Sequence, residues 1–202
     1  MNVLDNRDVF LIKNNLSNTA SVIINQVHGD SVDILDEMYQ NKPCDGIITR
    51  EKNKALFVRV ADCVPLLFFD AVQQVIAVAH AGREGTFKNI SGKMIKTFRE
   101  KFNSEASDIF IKIGPCAQLC CYEVGAETDM HIDFVRSKYG EKFIENKNID
   151  LVGINVTQLQ KAGLKIKNID ISSVCTICDK DNYFSFRKNK TEKRFAGVII
   201  LS

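Results

Sequence analysis

The chain has 202 residues, 45% hydrophobic and 26% charged, with 27 Lys and Arg against 25 Asp and Glu. That length suits one continuous domain, residues 1–202, able to bury about 70% of its unfolded surface without staples. A formal net charge of +2 is too balanced to argue for nucleic-acid or membrane binding, and no uncharged apolar run reaches the roughly 18 residues of a membrane span.

The first residues, "MNVLDNRDVFLIKNN", lack the basic start and long apolar core of a secretory signal. Seven cysteines, an odd number, fit free thiols or metal ligands in a reducing, cytoplasmic setting. The β-branched runs "SVIINQV" (21–27), "SVDIL" (31–35) and "DGIIT" (45–49) predict short strands. "ALFVRVA" (55–61) and "VPLLFF" (64–69) predict two more, and "QVIAVAHAG" (74–82) a further one that ends at Gly82. The period then changes. Phe87, Ile90, Met94, Ile95, Phe98 and Phe102 share one helical face, so 86–102 is expected to be an amphipathic helix.

A strand, "DIFIKIG" (108–114), follows. A second helix is expected near 126–139, with Met130, Phe134 and Val135 inward, and a third over 148–164, with Gly163 at its C-terminal end. "NIDIS" (168–172), "YFSF" (183–186) and "FAGVIIL" (195–201) read as closing strands. Strands and helices alternate without strict order. The expected fold is a mixed-sheet α/β or α+β sandwich with helices covering the sheets.

The chemistry concentrates in three apolar stretches. His28 in "NQVHGD" and His80 in "AVAHAG" each close an expected strand, and Cys63 lies between two strands in "VADCVPLLFFD". Strand ends and the loops leaving them are common places for sites. Two imidazoles and a thiolate form a plausible three-ligand set for Zn2+ with a fourth position open. Asp62 could then orient a ligand histidine, hold a water or move a proton. The bland alternative is two satisfied core histidines and an inert cysteine. Copper also uses two histidines and one cysteine, but none of Met1, Met38, Met94 and Met130 lies beside a ligand as an axial partner would. His131, mid-helix near Asp129 and Asp133, reads as a solvated or capping residue. Cys175 and Cys178 form one C-x-x-C, which suits a redox pair, half a structural zinc site or two buried thiols. Adjacent Cys120 and Cys121 are expected to point to different sides.

Five ordered motifs carry a resemblance: "NQVHGDSV", "DGIITREKNKALFVRVADCVPLLFFD", "VIAVAHAGREGTFKNI", "IGPCAQLCCYEVG" and "CTICDKDNYFSFRKNKTEKRFAGVIIL". From about 24 to 201 the chain resembles the laccase-domain purine nucleoside phosphorylase family, long described as polyphenol oxidoreductases. The resemblance implies a fold related to the cytotoxic-necrotising-factor-like cysteine hydrolases. It implies Zn2+ on His28, Cys63 and His80. It also implies phosphorolysis of adenosine, inosine and methylthioadenosine, with phosphate as co-substrate, and deamination of adenosine. Arg187 and Arg194 match arginines of the terminal motif and would bind the anionic substrate.

Two departures stand out. The family usually carries H-A-G-W-R-G, where this chain has "HAGREG": Arg83 replaces the tryptophan and Glu84 the arginine. Glu84 would repel phosphate if that arginine binds it. The arginine and paired glycines usually found before the first motif are also not seen. Two other functions stay open on the same residues. One is a hydrolase of another small substrate, such as a peptidoglycan precursor, using the metal or a Cys63–His80 dyad. The other is a metal-binding protein without catalysis.

Overall fold

A computed structural model describes residues 5–124, 128–179 and 182–201, with only the backbone of Thr128. In chain order the elements are α1 (Asn6–Lys13), β1 (Ala20–Ile23), β2 (Val32–Ile34), β3 (Gly46–Thr49), β4 (Lys54–Val60), β5 (Val64–Asp70) and β6 (Val75–Ala81). Then come α2 (Arg83–Phe87), α3 (Ile90–Phe102), β7 (Ile109–Ile113), α4 (Thr128–Lys138), β8 (Ile144–Glu145) and β9 (Asn148–Ile149). The chain closes with α5 (Leu151–Lys161), β10 (Ile169–Ile171), α6 (Phe186–Asn189) and β11 (Phe195–Leu201).

Two mixed sheets carry the fold, as the sandwich expectation requires. One has six strands in the order β10-β7-β5-β6-β3-β2, the other three in the order β1-β4-β11. The β5–β6 and β3–β6 pairs are antiparallel, while β2–β3, β7–β10 and β1–β4 are parallel. Side chains alternate across each strand, and the two faces of the six-stranded sheet meet different layers. Val75, Ala77, Ala79 and Ala81 of β6 join Leu66, Phe68, Met94, Phe98 and Ile154 in the core under the helices. Ile76 and Val78 face the other way, toward Leu56, Val58 and Val60 of β4. A third cluster sets Leu11 of α1 on Ala55 and Phe57, the outer face of β4. Both faces of β5 and β6 are therefore covered, which is why their sequences are continuous apolar runs rather than alternating ones.

Phe98 is fully buried, with its ring centroid 5.9 Å from that of Phe68. Phe98→Ala is expected to destabilise the fold by about 3–5 kcal/mol in denaturant unfolding, because α3 and the sheet cannot close the cavity.

Four local expectations are corrected. The helix expected over 86–102 is broken at Asn89, which is left-handed at φ 65 and caps α3 by accepting the Gly92 N–H. The helix expected from 148 begins at Leu151, because Asp150 accepts the Gly153 N–H and Asn148–Ile149 pair with Ile144–Glu145 as a small hairpin. "YFSF" is not a strand. Ser185 accepts the Lys188 N–H and starts the helical turn α6.

In α4, positions 126 and 127 of the expected helix lie outside the described residues. Met130 points outward at 61% exposed, while His131 is buried against Phe87 rather than solvated. Val135 is buried and Phe134 packs on Phe87 as expected, and the inward stripe adds His131 and Ile132 in place of Met130.

Candidate metal centre

The site forms at one end of the gap between the two sheets. Along β6, His80 falls on the same face as Ile76 and Val78. Antiparallel pairing places it opposite Pro65, next to the turn that joins β4 to β5. That turn is Ala61-Asp62-Cys63, with Asp62 at a φ of 91, a conformation few non-glycine residues adopt. His28 reaches the same place from the link between β1 and β2, also left-handed at φ 59. Its expected strand stops at Ile23, so His28 rides a turn rather than a strand end.

His28, Cys63 and His80 each offer one donor atom, and the three atoms lie within 4.8 Å of one another. The two imidazole rings stand perpendicular, with centroids 4.7 Å apart. Gly82 leaves the space between them open: a Cβ there would fall 3.3 Å from Cys63 Sγ and 3.5 Å from both His28 Cδ2 and His80 Cε1. His80 is buried, Cys63 half-buried and His28 exposed, so the trio opens to solvent on the His28 side. Three N/S donors around a space kept clear by a glycine fit a cation such as Zn2+ with one position open to a water or substrate.

The carboxylate that orients this trio is Asp45, which the sequence reading did not select. Asp45 is fully buried. Its Oδ1 lies 2.8 Å from His80 Nδ1 and accepts the His28 N–H at 3.0 Å. Its Oδ2 accepts the N–H groups of Gly29 (2.6 Å) and Val27 (3.3 Å). The His80 N–H in turn donates to the Asp45 carbonyl at 2.7 Å. One side chain thus clamps the His28 turn and leaves His80 Nε2 as the ring nitrogen free for a metal.

Electrostatics follow from this clamp. Burial opposes the charge on Asp45, but hydrogen bonds from His80 and Gly29 hold its carboxyl below the usual range. Burial likewise disfavours a charged His80, yet Asp45 and Cys63 raise it to about 9. Burial would push the Cys63 thiol up, and the two imidazoles overcome that and lower it to about 6. Cys63 is accordingly a thiolate at neutral pH, the form that binds metals.

Asp62 does other work. Its Oδ1 accepts the Thr176 hydroxyl at 2.8 Å and its Oδ2 the Arg187 N–H at 2.7 Å, while its carbonyl accepts the Ala117 N–H. Both carboxylate oxygens are committed to holding other loops against the β4–β5 turn.

Beside the trio opens a cleft of about 510 Å³. Arg59, Arg83, Arg187 and Arg194 all line it, with Tyr122 and Glu84. Arg187 and Arg194 both line the cleft that contains the trio. The Arg187 guanidinium lies 4.1 Å from the centroid of the Tyr122 ring and donates to the Glu123 carbonyl. Arg194 donates to the Thr191 and Lys193 carbonyls at 2.9 Å. Adjacent Arg83 and Glu84 both line the cleft, with Nε and Oε1 3.4 Å apart. A larger hollow of about 720 Å³ runs along α1 and β11 and shares Arg59 and Arg194 with this cleft, but it touches none of the three donor residues. Arg59 and Tyr122 also escaped the sequence reading, since an exposed strand arginine and a lone tyrosine carry no signal by themselves.

The model of the family described as multi-copper polyphenol oxidoreductase laccase matches residues 1–202. The purine nucleoside phosphorylase Cj1217c of Campylobacter jejuni is 34% identical over 183 residues, covering 89% of this chain and 76% of its own. The purine nucleoside phosphorylase YlmD of Bacillus subtilis is 37% identical over 156 residues, covering 74% of this chain and 55% of its own. Among solved structures, the Bacillus licheniformis hypothetical protein YfiH superposes with a TM-score of 0.89 at 28% identity, over 98% of this chain and 80% of that one. YlmD from Geobacillus stearothermophilus gives 0.87 at 27% identity, over 97% and 78%. Among the described residues, no helix is long and apolar enough to cross a membrane.

Proposed function

Since the chain belongs to the multi-copper polyphenol oxidoreductase laccase family, with relatives named purine nucleoside phosphorylases, we propose that it cleaves purine nucleosides with phosphate. The substrates in view are adenosine, inosine and methylthioadenosine. The observation that carries this reading is the ring of four arginines in a cleft beside the His28–Cys63–His80 trio. A cleft of about 510 Å³ falls in the roughly 300–1,000 Å³ range of small-ligand sites.

Zn2+ on His28, Cys63 and His80 fits better than copper, because among the described residues no methionine lines the cleft around the trio as an axial partner would. When bound, the ion supplies Lewis-acid polarisation of an oxygen in the cleft. The protein's own residues do the rest. Arginines hold phosphate and set its oxygen against C1′ of the ribose. The C1′–N9 bond breaks, the new C1′–O bond forms, and the proton given up by hydrogen phosphate as it becomes the sugar phosphate passes through solvent to the ring nitrogen of the leaving purine. Charge growing on the sugar is balanced by the phosphate, and the arginines keep that phosphate in place. Asp62 acts as a positioning residue, since it fixes the backbone of Arg187 from beneath.

Glu84 modulates the phosphate. A carboxylate beside Arg83 cancels part of the positive field in the cleft. Glu84→Gln is expected to lower the KM for phosphate about threefold, a size suited to a partly exposed charge. An unchanged or raised KM would remove Glu84 from the phosphate's surroundings.

Adenosine deamination is a second reading that the same carboxylate favours. It requires water to add at C6 and a proton to reach the departing ammonia. Glu84, ion-paired with Arg83 among the described residues, faces the cleft as that shuttle would. Glu84→Gln would then lose inosine formation from adenosine while keeping phosphorolysis.

The test of the main reading is zinc-loaded protein assayed on adenosine and inosine with and without phosphate. Free base and ribose 1-phosphate should appear only with phosphate. Absence of turnover on every purine nucleoside would overturn the reading. A Cys63–His80 dyad predicts the opposite metal dependence: chelation would leave turnover intact. In the zinc reading, chelation ends turnover and exposes the Cys63 thiolate, with its pKa of about 6, to alkylation at pH 7. Zinc should protect it.

A further inference from the structure

Four cysteines outside this site converge on one point. Cys120, Cys121, Cys175 and Cys178 place their Sγ atoms within 4.8 Å of one another. Cys121 Sγ lies 3.3 Å and Cys120 Sγ 3.7 Å from Cys178 Sγ. A tetrahedral metal with bonds of about 2.3 Å to sulfur sets its ligands about 3.8 Å apart. A disulfide would bring two sulfurs to about 2.05 Å, and a multi-iron cluster would spread four thiolates much wider. The expectation that Cys120 and Cys121 diverge fails because the backbone is not extended there. Cys121 and Tyr122 both donate N–H to the Gln118 carbonyl, and that turn swings both thiols to one side.

The second loop has the matching form. Cys175 begins a turn in which the Asp179 N–H donates to its carbonyl at 2.9 Å. Two thiols on each of two facing loops close all four positions of a tetrahedron. Cys116 stays outside, buried, with its sulfur accepting from Gln118 Nε2.

We infer that Cys120, Cys121, Cys175 and Cys178 form a second, structural metal site that binds one Zn2+ through four thiolates. Binding releases the thiol protons to solvent. Its place in the fold gives it a task. The loops it joins lie beside the cleft: Tyr122 directly follows Cys121, and Thr176, between the paired cysteines, donates to Asp62. The metal ties the Tyr122–Arg187 wall to the turn that carries Cys63. This site is independent of the function proposed for the His28–Cys63–His80 trio.

The experiment uses His80→Ala protein, in which the other site is disabled, purified under reducing conditions. It should hold about one zinc per chain, and adding Cys178→Ser should reduce that to none. Cys120→Ser, at an exposed position, gives the same readout should Cys178→Ser fail to fold. Unmutated protein loaded with Co2+ should show the intense charge-transfer bands of a tetrahedral tetrathiolate. Three results would overturn the inference: His80→Ala protein free of metal, metal retained in both serine variants, or a native Cys121–Cys178 disulfide seen by mass.

Discussion

His80→Ala should remove the catalytic metal and lower kcat/KM for phosphorolysis about a thousandfold, or about 4 kcal/mol of transition-state stabilisation. Cys63→Ala should do the same. The size follows from what each residue provides. His80 would offer Nε2 to the proposed ion, while its other nitrogen is anchored 2.8 Å from Asp45 Oδ1. No other imidazole among the described residues joins this cluster beyond His28, so nothing can replace it. Metal analysis should show the loss in step with the kinetics. A variant that keeps its zinc here and loses activity would make His80 a base rather than a ligand. One that loses zinc and keeps activity would end the zinc reading.

Asp45→Ala should have the second large effect, on two independent measurements. It removes the acceptor for three backbone N–H groups and for a buried histidine. Removing one member of a buried charged pair costs about 3–5 kcal/mol of stability. Loss of the group that orients a ligand histidine costs about 10–100-fold in metal affinity. Asp45→Asn separates the two. It retains an acceptor for the His28 turn, so stability should largely recover. His80 loses its charged partner, so its raised pKa should fall and metal affinity should stay impaired. Denaturant unfolding of the metal-free proteins and zinc competition titrations distinguish these outcomes. If Asp45→Asn binds zinc as tightly as the parent, the carboxylate is scaffolding for the backbone alone.

The His28–Cys63–His80 cluster was legible in the sequence because donor side chains stood at the edges of strongly apolar runs. His28 was expected at a strand end and occupies a turn instead, which did not alter the reading, while Cys63 lies in the junction between β4 and β5 where it was expected. Asp62 and Asp45 show its limit. Each is a carboxylate next to an apolar run, and nothing in the neighbouring residues says which one faces His80. That is decided by the pairing of β3 with β6, which brings the start of β3 beside the end of β6. Asp62 instead meets Thr176 and Arg187, more than a hundred residues away. Helix boundaries failed for a related reason. Asn89 and Asp150 each satisfy a backbone N–H three residues on, which starts a helix where periodicity alone saw continuity.

The cysteines divide in the same manner. Cys120 and Cys121 looked divergent under an extended backbone, and the turn at Gln118 makes them convergent. Their partners Cys175 and Cys178 lie 54 residues or more along the chain. By itself, the sequence determined what depends on local order: the strand core, from unbroken apolar runs, the inward face of α3, from its period, and the donor types of the metal trio. Tertiary structure decided which carboxylate serves His80, how four arginines ring one cleft, and how four thiols meet. Such contacts depend on strand register and turn direction, and those are set by packing across the whole chain rather than by neighbours in sequence.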